Sequence, residues 1–182
     1  MKKGYSEKKN AGFTLVELIA VISIMLVLVG TAVLSFRGSA GQRLSQAVSY
    51  TDSMLTETQQ NAMAKAGQYA YFYYDTDQDA YYVQNASGYE RRLGSEDLSF
   101  TYETSDGQTF DLKDNAFYIS YDSANGSALP VIASIGSDGA YNYAADAAGN
   151  PYYLKKITIS LDTRSKVITL YPKTGRHVVE ET

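Results

Sequence analysis

The distribution of apolar and polar residues divides the chain into three parts. Residues 13–36 are almost continuously apolar, with Glu17 as their one charged side chain. Residues 37–66 then carry apolar residues at every third or fourth position or a multiple of it, which predicts a helix with one buried face. The apolar positions of this second part are Leu44, Val48, Leu55, Ala62 and Ala66. Because helical patterns adjoin without a strong break, the two parts predict one long helix that ends near Gly67.

From residue 67 the pattern changes to short runs of Tyr, Phe, Val, Ile and Thr separated by turn residues such as Asp106-Gly107, Asn125-Gly126 and Asp138-Gly139. In one run, Ile157 and Ile159 alternate with polar residues, as in a half-buried antiparallel strand. The predicted strands cover residues 69–74, 81–84, 98–102, 117–121, 130–135, 157–161 and 166–171. The chain is therefore expected to be α+β, with a long N-terminal helix against an antiparallel β-sheet.

The apolar part is long enough to cross a membrane. Its 24 residues would form a helix about 36 Å long. Residues 1–12 carry four lysines against one glutamate, which favours a cytoplasmic N-terminus and an exported body. A cleaved secretory signal peptide is one alternative, with residues 30–32 as its cleavage site, but its apolar region of about 7–15 residues would be shorter. An uncleaved signal anchor is a second alternative, and it fits the length.

Neither alternative accounts for Glu17. An acidic side chain inside an apolar membrane helix costs about 2.5–3.5 kcal/mol on insertion scales, and such residues usually mark function. Residues 18–36 carry no charge. We therefore expect the cation that neutralises Glu17 to come from outside this helix.

Residues 8–19, Lys-Lys-Asn-Ala-Gly-Phe-Thr-Leu-Val-Glu-Leu-Ile, resemble the class III signal of type IV pilins and pseudopilins. The resemblance implies that a prepilin peptidase cuts between Gly12 and Phe13, and that the new N-terminal Phe13 is N-methylated. It also implies that the apolar segment stays in the mature protein as the core of a helical filament. Glu17 of one subunit would then neutralise the α-amine of Phe13 in a neighbour, so that two charges enter the apolar interior together.

Two further features bear on this resemblance. Many major pilins carry a proline in the middle of the apolar segment, whereas residues 29–34 contain Gly30 and no proline. Gly30 would loosen the helix more gently, since glycine costs about 1 kcal/mol relative to alanine. The run 167–170, followed by Thr174-Gly175-Arg176, is similar to the end of minor pseudopilins of the initiating-complex type.

The resemblance implies four parts: a cleaved leader (1–12), a transmembrane or filament-core half-helix (13–36), an amphipathic half-helix (37–66) and a β-rich globular domain (67–182). Before assembly the protein would cross the cytoplasmic membrane once, with its body outside, and it would then join a cell-surface filament. The partners implied are a prepilin peptidase/methyltransferase, other pilin subunits, the cytoplasmic membrane and an assembly platform. The signal is shared by pili, competence pseudopili and secretion pseudopili, and by major and minor subunits.

The composition excludes several kinds of chemistry. The absence of cysteine excludes disulfides, thiol catalysis and iron–sulfur clusters. With His177 as the one histidine, neither a polyhistidine metal site nor a His-pair mechanism is available. We expect His177 to be solvated beside a turn. A net charge of −4 gives no support to DNA as a partner. Because the chain also lacks nucleophile-elbow and Walker motifs, we expect no catalytic activity and no cofactor.

Three aspartates have the alternating spacing that opens a calcium loop: Asp75, Asp77 and Asp79. An EF-hand would need Gly at its sixth position and Glu at its twelfth, where this chain has Ala80 and Ala86. The segment is therefore expected to be a solvated hairpin turn and no metal site is expected, with a calcium site outside the EF-hand class as the alternative.

The clustered tyrosines between Tyr69 and Tyr82 allow two interpretations. Aromatic rings on a surface can stack on DNA bases or glycans. Tyrosine is also an ordinary strand residue, and Arg91 and Arg92 are the nearest cations that follow, so the core or the surface of a sheet is favoured. The alternative for the whole chain is a membrane-anchored extracytoplasmic binding protein or enzyme whose leader resembles a pilin by chance.

Overall fold

The computed structural model describes the backbone of residues 15–181 and the side chains of residues 15–26 and 41–180. The predicted leader, the Gly12–Phe13 junction and the side chains of residues 27–40 lie outside this description. The chain divides into two compact units, residues 1–39 and residues 40–182.

A long helix, α1, covers Leu15–Ala64 and confirms the helix expected from the sequence over the described residues. Gly67 follows its end with a φ of +82°, a left-handed conformation that glycine adopts readily. In the first unit the large apolar side chains of residues 15–26 are exposed, from 45% for Val21 to 75% for Leu15. In the part of the chain that the structure describes, no helix is both long and apolar enough to cross a membrane.

In the second unit α1 buries one face. The four predicted positions Leu44, Val48, Leu55 and Ala62 are all buried. Ala66 was expected on the same face, but it is exposed because the helix has already ended at Ala64.

After α1 the described residues form eleven strands in two sheets. All the strand pairs are antiparallel. The first sheet has the order β3-β2-β1-β6-β7-β8 and the second has the order β11-β10-β9-β4-β5. The strands are β1 (Tyr69–Asp75), β2 (Ala80–Asn85), β3 (Glu90–Ser95), β4 (Ser99–Thr104), β5 (Thr109–Asp111), β6 (Phe117–Ser120), β7 (Ile132–Ile135), β8 (Tyr141–Tyr143), β9 (Leu154–Leu161), β10 (Arg164–Tyr171) and β11 (Arg176–Glu181).

The two sheets face each other and enclose the core of the second unit. Aromatic rings join them: the ring centroids of Tyr81 and Phe100 lie 4.5 Å apart, and those of Tyr102 and Phe117 lie 4.4 Å apart. The α+β class with antiparallel pairing is therefore confirmed. The expected single sheet of about seven strands is corrected to two sheets of six and five strands.

Helix α1 contacts both sheets through their edge strands. On one side, the guanidinium of Arg91 in β3 lies 4.9 Å from the ring centroid of Tyr50. On the other side, Nε2 of His177 in β11 lies 3.2 Å from Oγ1 of Thr56. The helix of the second unit is thus held between β3 and β11.

Candidate functional site

Glu17 lies in the first turn of α1 as the structure describes it. Its chain neighbours Val16 and Leu18 are 75% and 57% exposed, so the carboxylate sits within an exposed apolar stretch. Its predicted companions in processing, Gly12 and Phe13, lie outside the described residues.

The three aspartates of the candidate calcium loop lie at a hairpin turn, as predicted. Strands β1 and β2 pair up to Asp75 and Ala80, with residues 76–79 as the turn between them. Asp75 Oδ1 accepts hydrogen bonds from the backbone N–H groups of Asp77 at 2.8 Å and Gln78 at 3.2 Å. Asp79 Oδ1 accepts one from the Tyr74 hydroxyl at 3.3 Å. Two of the three carboxylates therefore hold the hairpin, and the described residues contain no group of three metal-ligating side chains.

The tyrosines form a row on the outer face of the first sheet. Along β1, the half-buried Tyr69, Tyr71 and Tyr73 alternate with the buried Ala70 and Phe72. The Tyr71 ring stacks on Tyr118, with centroids 4.1 Å apart, and on Tyr73, with centroids 5.0 Å apart. The rings pack against one another on the surface of the sheet. This is one of the two structural positions that the sequence favoured for these tyrosines.

Tyr82 of β2 extends this row, since its ring stacks on Tyr73 with centroids 5.8 Å apart. The hydroxyls of these two tyrosines are engaged by polar neighbours. The Tyr73 hydroxyl donates to Glu90 Oε2 at 2.5 Å, and the Tyr82 hydroxyl donates to Gln78 Oε1 at 2.6 Å. Burial and the hydrogen bond to Glu90 raise the pKa of Tyr73 above its usual range. The acidic residues beside the row oppose binding of a polyanion such as DNA.

His177 is half-buried as a whole, but its side chain is largely removed from solvent, so the expectation of a solvated histidine was wrong. Its side chain is 8% exposed, and Nε2 lies 3.2 Å from Asp52 Oδ1 as well as from Thr56 Oγ1. The reason is the pairing of β11 with β10, which places His177 opposite Leu170 and against α1. The contact joins the last described strand to the helix.

A cleft that no sequence pattern predicts lies between α1 and β3 and is lined by Arg43 and Arg92, among other residues. Arg43 donates hydrogen bonds from Nη2 to Ser95 Oγ and Asp97 Oδ1, both at 2.6 Å. The Arg91-Arg92 pair was the one available signal in the sequence. Nothing in the pattern links this pair, which lies in β3, to Arg43, which lies in α1.

Comparison with known families finds the prokaryotic N-terminal methylation motif at residues 8–33. This motif is the class III signal of the type IV pilin and pseudopilin family, and the chain therefore carries that family's signal. The resemblance seen in residues 8–19 is thus confirmed. The match ends at residue 33, so it does not extend into the second unit. No curated protein and no solved structure matches the chain.

Proposed function

We propose that the chain is a structural subunit, a pilin or pseudopilin, of a type IV pilus-like filament. The observation that carries this proposal is the methylation motif at residues 8–33. Within it, Glu17 is the fifth residue after the Gly12–Phe13 junction. Cleavage at this junction removes residues 1–12 and leaves the apolar helix attached to the body.

The exposed apolar side chains of the first unit support this role. Leu15 and Leu26 are 75% and 68% exposed, and the large apolar residues between them are also exposed. Burial of apolar surface stabilises by about 25 cal/mol per Å². Lipid removes this surface from water before assembly, and the helices of neighbouring subunits remove it afterwards.

Processing and assembly then follow from two charges. Cleavage creates an α-amine on Phe13, which a prepilin peptidase/methyltransferase methylates. The Glu17 carboxylate of one subunit forms an ion pair with the α-amine of a neighbour's Phe13. The apolar interior then holds one neutral pair and not two separate ions. Because the pairing joins fixed positions of two helices, it also sets their axial register.

The second unit is the part that the filament displays outside the cell. In this proposal the N-terminus is cytoplasmic before assembly and the two-sheet body is extracytoplasmic. The body contributes surface and packing to the filament, with no catalytic step assigned to it.

Intact-mass analysis of the protein purified from membranes or filaments tests the proposal. The expected mature chain has 170 residues, the 182 of the full sequence less the 12 of the leader, and one added methyl group. Gly12→Ala should be processed better than Gly12→Leu, because the peptidase must fit a small residue at the scissile bond. A strain without the peptidase is the control and should yield the uncleaved chain.

Two results would contradict the proposal. A mature chain that begins after Ala32 would restore the secretory signal peptide. A chain that stays uncleaved while the peptidase is active would favour the anchored binding protein or enzyme.

A further inference from the structure

The cleft between α1 and β3 has a volume of about 260 Å³ and lies within the second unit. It combines polar side chains from the helix and from the edge strand with an apolar lining. Leu93 and Leu98 supply the apolar part and are 4% and 2% exposed. The polar side chains are Arg43, Gln46, Tyr50, Arg92 and Ser95.

The cleft carries one net positive charge. Arg43 and Arg92 contribute two positive charges, and Asp97, which pairs with Arg43 at 2.6 Å, contributes one negative charge. Burial opposes ionisation of Asp97, but hydrogen bonds from Ser95 and Arg43 outweigh it and lower the pKa of this carboxyl. Asp97 is therefore ionised at neutral pH and neutralises Arg43.

Arg92 differs from the two arginines beside it. Arg43 is paired with Asp97, and Arg91 lies over the Tyr50 ring and donates to the Tyr89 hydroxyl at 3.0 Å. The Arg92 side chain makes no hydrogen bond or ion pair with any other residue that the structure describes, although its backbone pairs with β2. Its guanidinium thus keeps its N–H donors for a ligand in the cleft.

Tyr50 offers a second donor. Its hydroxyl oxygen accepts a hydrogen bond from Gln46 Nε2 at 2.8 Å, which leaves the hydroxyl hydrogen available to donate. Arg92 and Tyr50 line the same cleft from opposite elements, the strand and the helix. The cleft thus offers an oxyanion one donor from each element.

We propose that this cleft binds a carboxylate, with Arg92 as its anchor. The planar guanidinium matches a carboxylate through two parallel hydrogen bonds. One net positive charge suits a monoanion better than a doubly charged phosphate. The apolar lining and the small volume fit a short aliphatic stem, such as that of a glutamate side chain.

An acidic side chain on a second copy of the chain is one source of this carboxylate, and a soluble carboxylate is the other. The full sequence has 20 acidic residues, and removal of the leader with Glu7 leaves 19, so packed copies would present many carboxylates to one another. The assignment to a neighbouring copy rests on the proposed function, whereas the binding of a carboxylate does not.

Butyrate is a suitable probe because it is a monoanion with a short aliphatic stem. We expect it to shift the amide resonances of Gly94 and Ser95 in the full chain, isotope-labelled and held in detergent micelles, and to saturate in the millimolar range. Butyramide has the same shape without the charge and should cause no saturable shift. Arg92→Gln should weaken butyrate binding by tenfold or more, since a hydrogen bond to a charged group contributes about 1.5–3 kcal/mol.

Arg176→Gln is the matched control, because Arg176 is exposed in β11 and lies outside the cleft. It should bind butyrate like the wild type. The proposal is overturned if butyrate gives no saturable shift, if butyramide binds equally well, or if Arg92→Gln keeps the wild-type affinity.

The recovery of both variants in sheared filaments distinguishes the two sources. A loss confined to Arg92→Gln, at normal membrane level, assigns the carboxylate to a neighbouring copy. Normal filaments combined with lost butyrate binding assign the cleft to a soluble carboxylate. Leader removal, read by intact mass, does not depend on Arg92, so failure of the proposed function would be seen separately.

Discussion

The side-chain amide of Gln59 donates a hydrogen bond to the carbonyl oxygen of Gly126 at 2.8 Å, which joins α1 to the loop between β6 and β7. The same amide donates to the carbonyl oxygen of Thr174, in the turn between β10 and β11, at 3.3 Å. Gly175 in that turn has a φ of +65°, and a β-carbon there would overlap the Gly126 carbonyl and the Gln59 amide. Helix α1, the β6–β7 loop and the β10–β11 turn thus meet at Gly175, where there is no space for a side chain.

Gly175→Ala should therefore destabilise the second unit. The left-handed backbone costs an alanine about 1–2 kcal/mol. The overlap adds a further cost of about 1–3 kcal/mol. Urea unfolding of the full chain in micelles, followed by circular dichroism, measures the sum. Gly149→Ala is the control, because Gly149 has a φ of +83° and no atom lies within 4 Å of its added β-carbon. Equal losses in the two variants would show that crowding at Gly175 is unimportant.

Tyr121 should make the fold sensitive to alkali. Its side chain is buried, its hydroxyl has no hydrogen-bond partner among the described residues, and burial raises its pKa above the ordinary 10.0. Above pH 10 the unfolded chain releases a proton that the folded chain keeps, so stability falls as the pH rises toward the raised pKa. This group alone contributes a slope of up to about 1.4 kcal/mol per pH unit.

In Tyr121→Phe the unfolding free energy should fall less steeply with pH, because the variant lacks the one proton that Tyr121 releases on unfolding. At pH 7 it should leave the free energy of unfolding unchanged or raise it by up to about 1 kcal/mol, because a buried unpaired hydroxyl is removed. Urea unfolding at pH 7 and at pH 11 gives the comparison. Tyr171→Phe, at a side chain that is 48% exposed, should behave like the wild type at both pH values. An unchanged slope in Tyr121→Phe would show that this hydroxyl does not titrate differently on unfolding.

Glu17→Val should separate membrane insertion from assembly. Removing an acid from hydrocarbon lowers the insertion cost, so the membrane level should be normal or higher. Leader cleavage should persist, because the scissile bond lies outside the altered turn. Recovery in sheared filaments should fall, because the amine of a neighbour's Phe13 loses its acidic partner.

All three quantities for Glu17→Val are measured in one strain against the wild type. Assembly at the wild-type level would show that Glu17 is dispensable. An equal loss of membrane level, cleavage and assembly would indicate a general folding defect instead.

Residues 41–182 should fold as a soluble protein without the apolar half of the helix. This span holds all eleven described strands and the buried core cluster that begins at Leu44. It also keeps the ion pair between Arg43 and Asp97. Circular dichroism and cooperative thermal unfolding provide the measurement. A shorter version that begins at residue 49 lacks Leu44, Ala47 and Val48 and should be markedly less stable. An aggregated, unfolded 41–182 would contradict the proposed boundary.

The sequence predicts the inner strands of both sheets and none of the edge strands. The seven predicted runs correspond to β1, β2, β4, β6, β7, β9 and β10, each of which has a neighbour on both sides. The missed strands β3 and β11 are rich in charge, as edge strands often are because charge discourages further pairing. The missed strands β5 and β8 have three residues each, too few to show a period.

The two candidate sites differ in how far the sequence reveals them. The processing signal is contiguous, so residues 8–19 display it without any knowledge of the fold. The proposed carboxylate cleft combines Arg92 of β3 with Tyr50 of α1, so it depends on the packing of α1 against β3. Local pattern cannot indicate such a site, because the fold alone brings its parts together.

The placement of α1 between β3 and β11 has a mechanical consequence. A tensile load along the helix of the second unit would act on Arg43 at the β3 side, on Thr56 at the β11 side and on Gln59 at two loops. These attachments are loaded in parallel and in shear, so the force is shared among them and does not open them one after another. We therefore expect the body to resist having its helix drawn out lengthwise more strongly than having either sheet peeled from its edge.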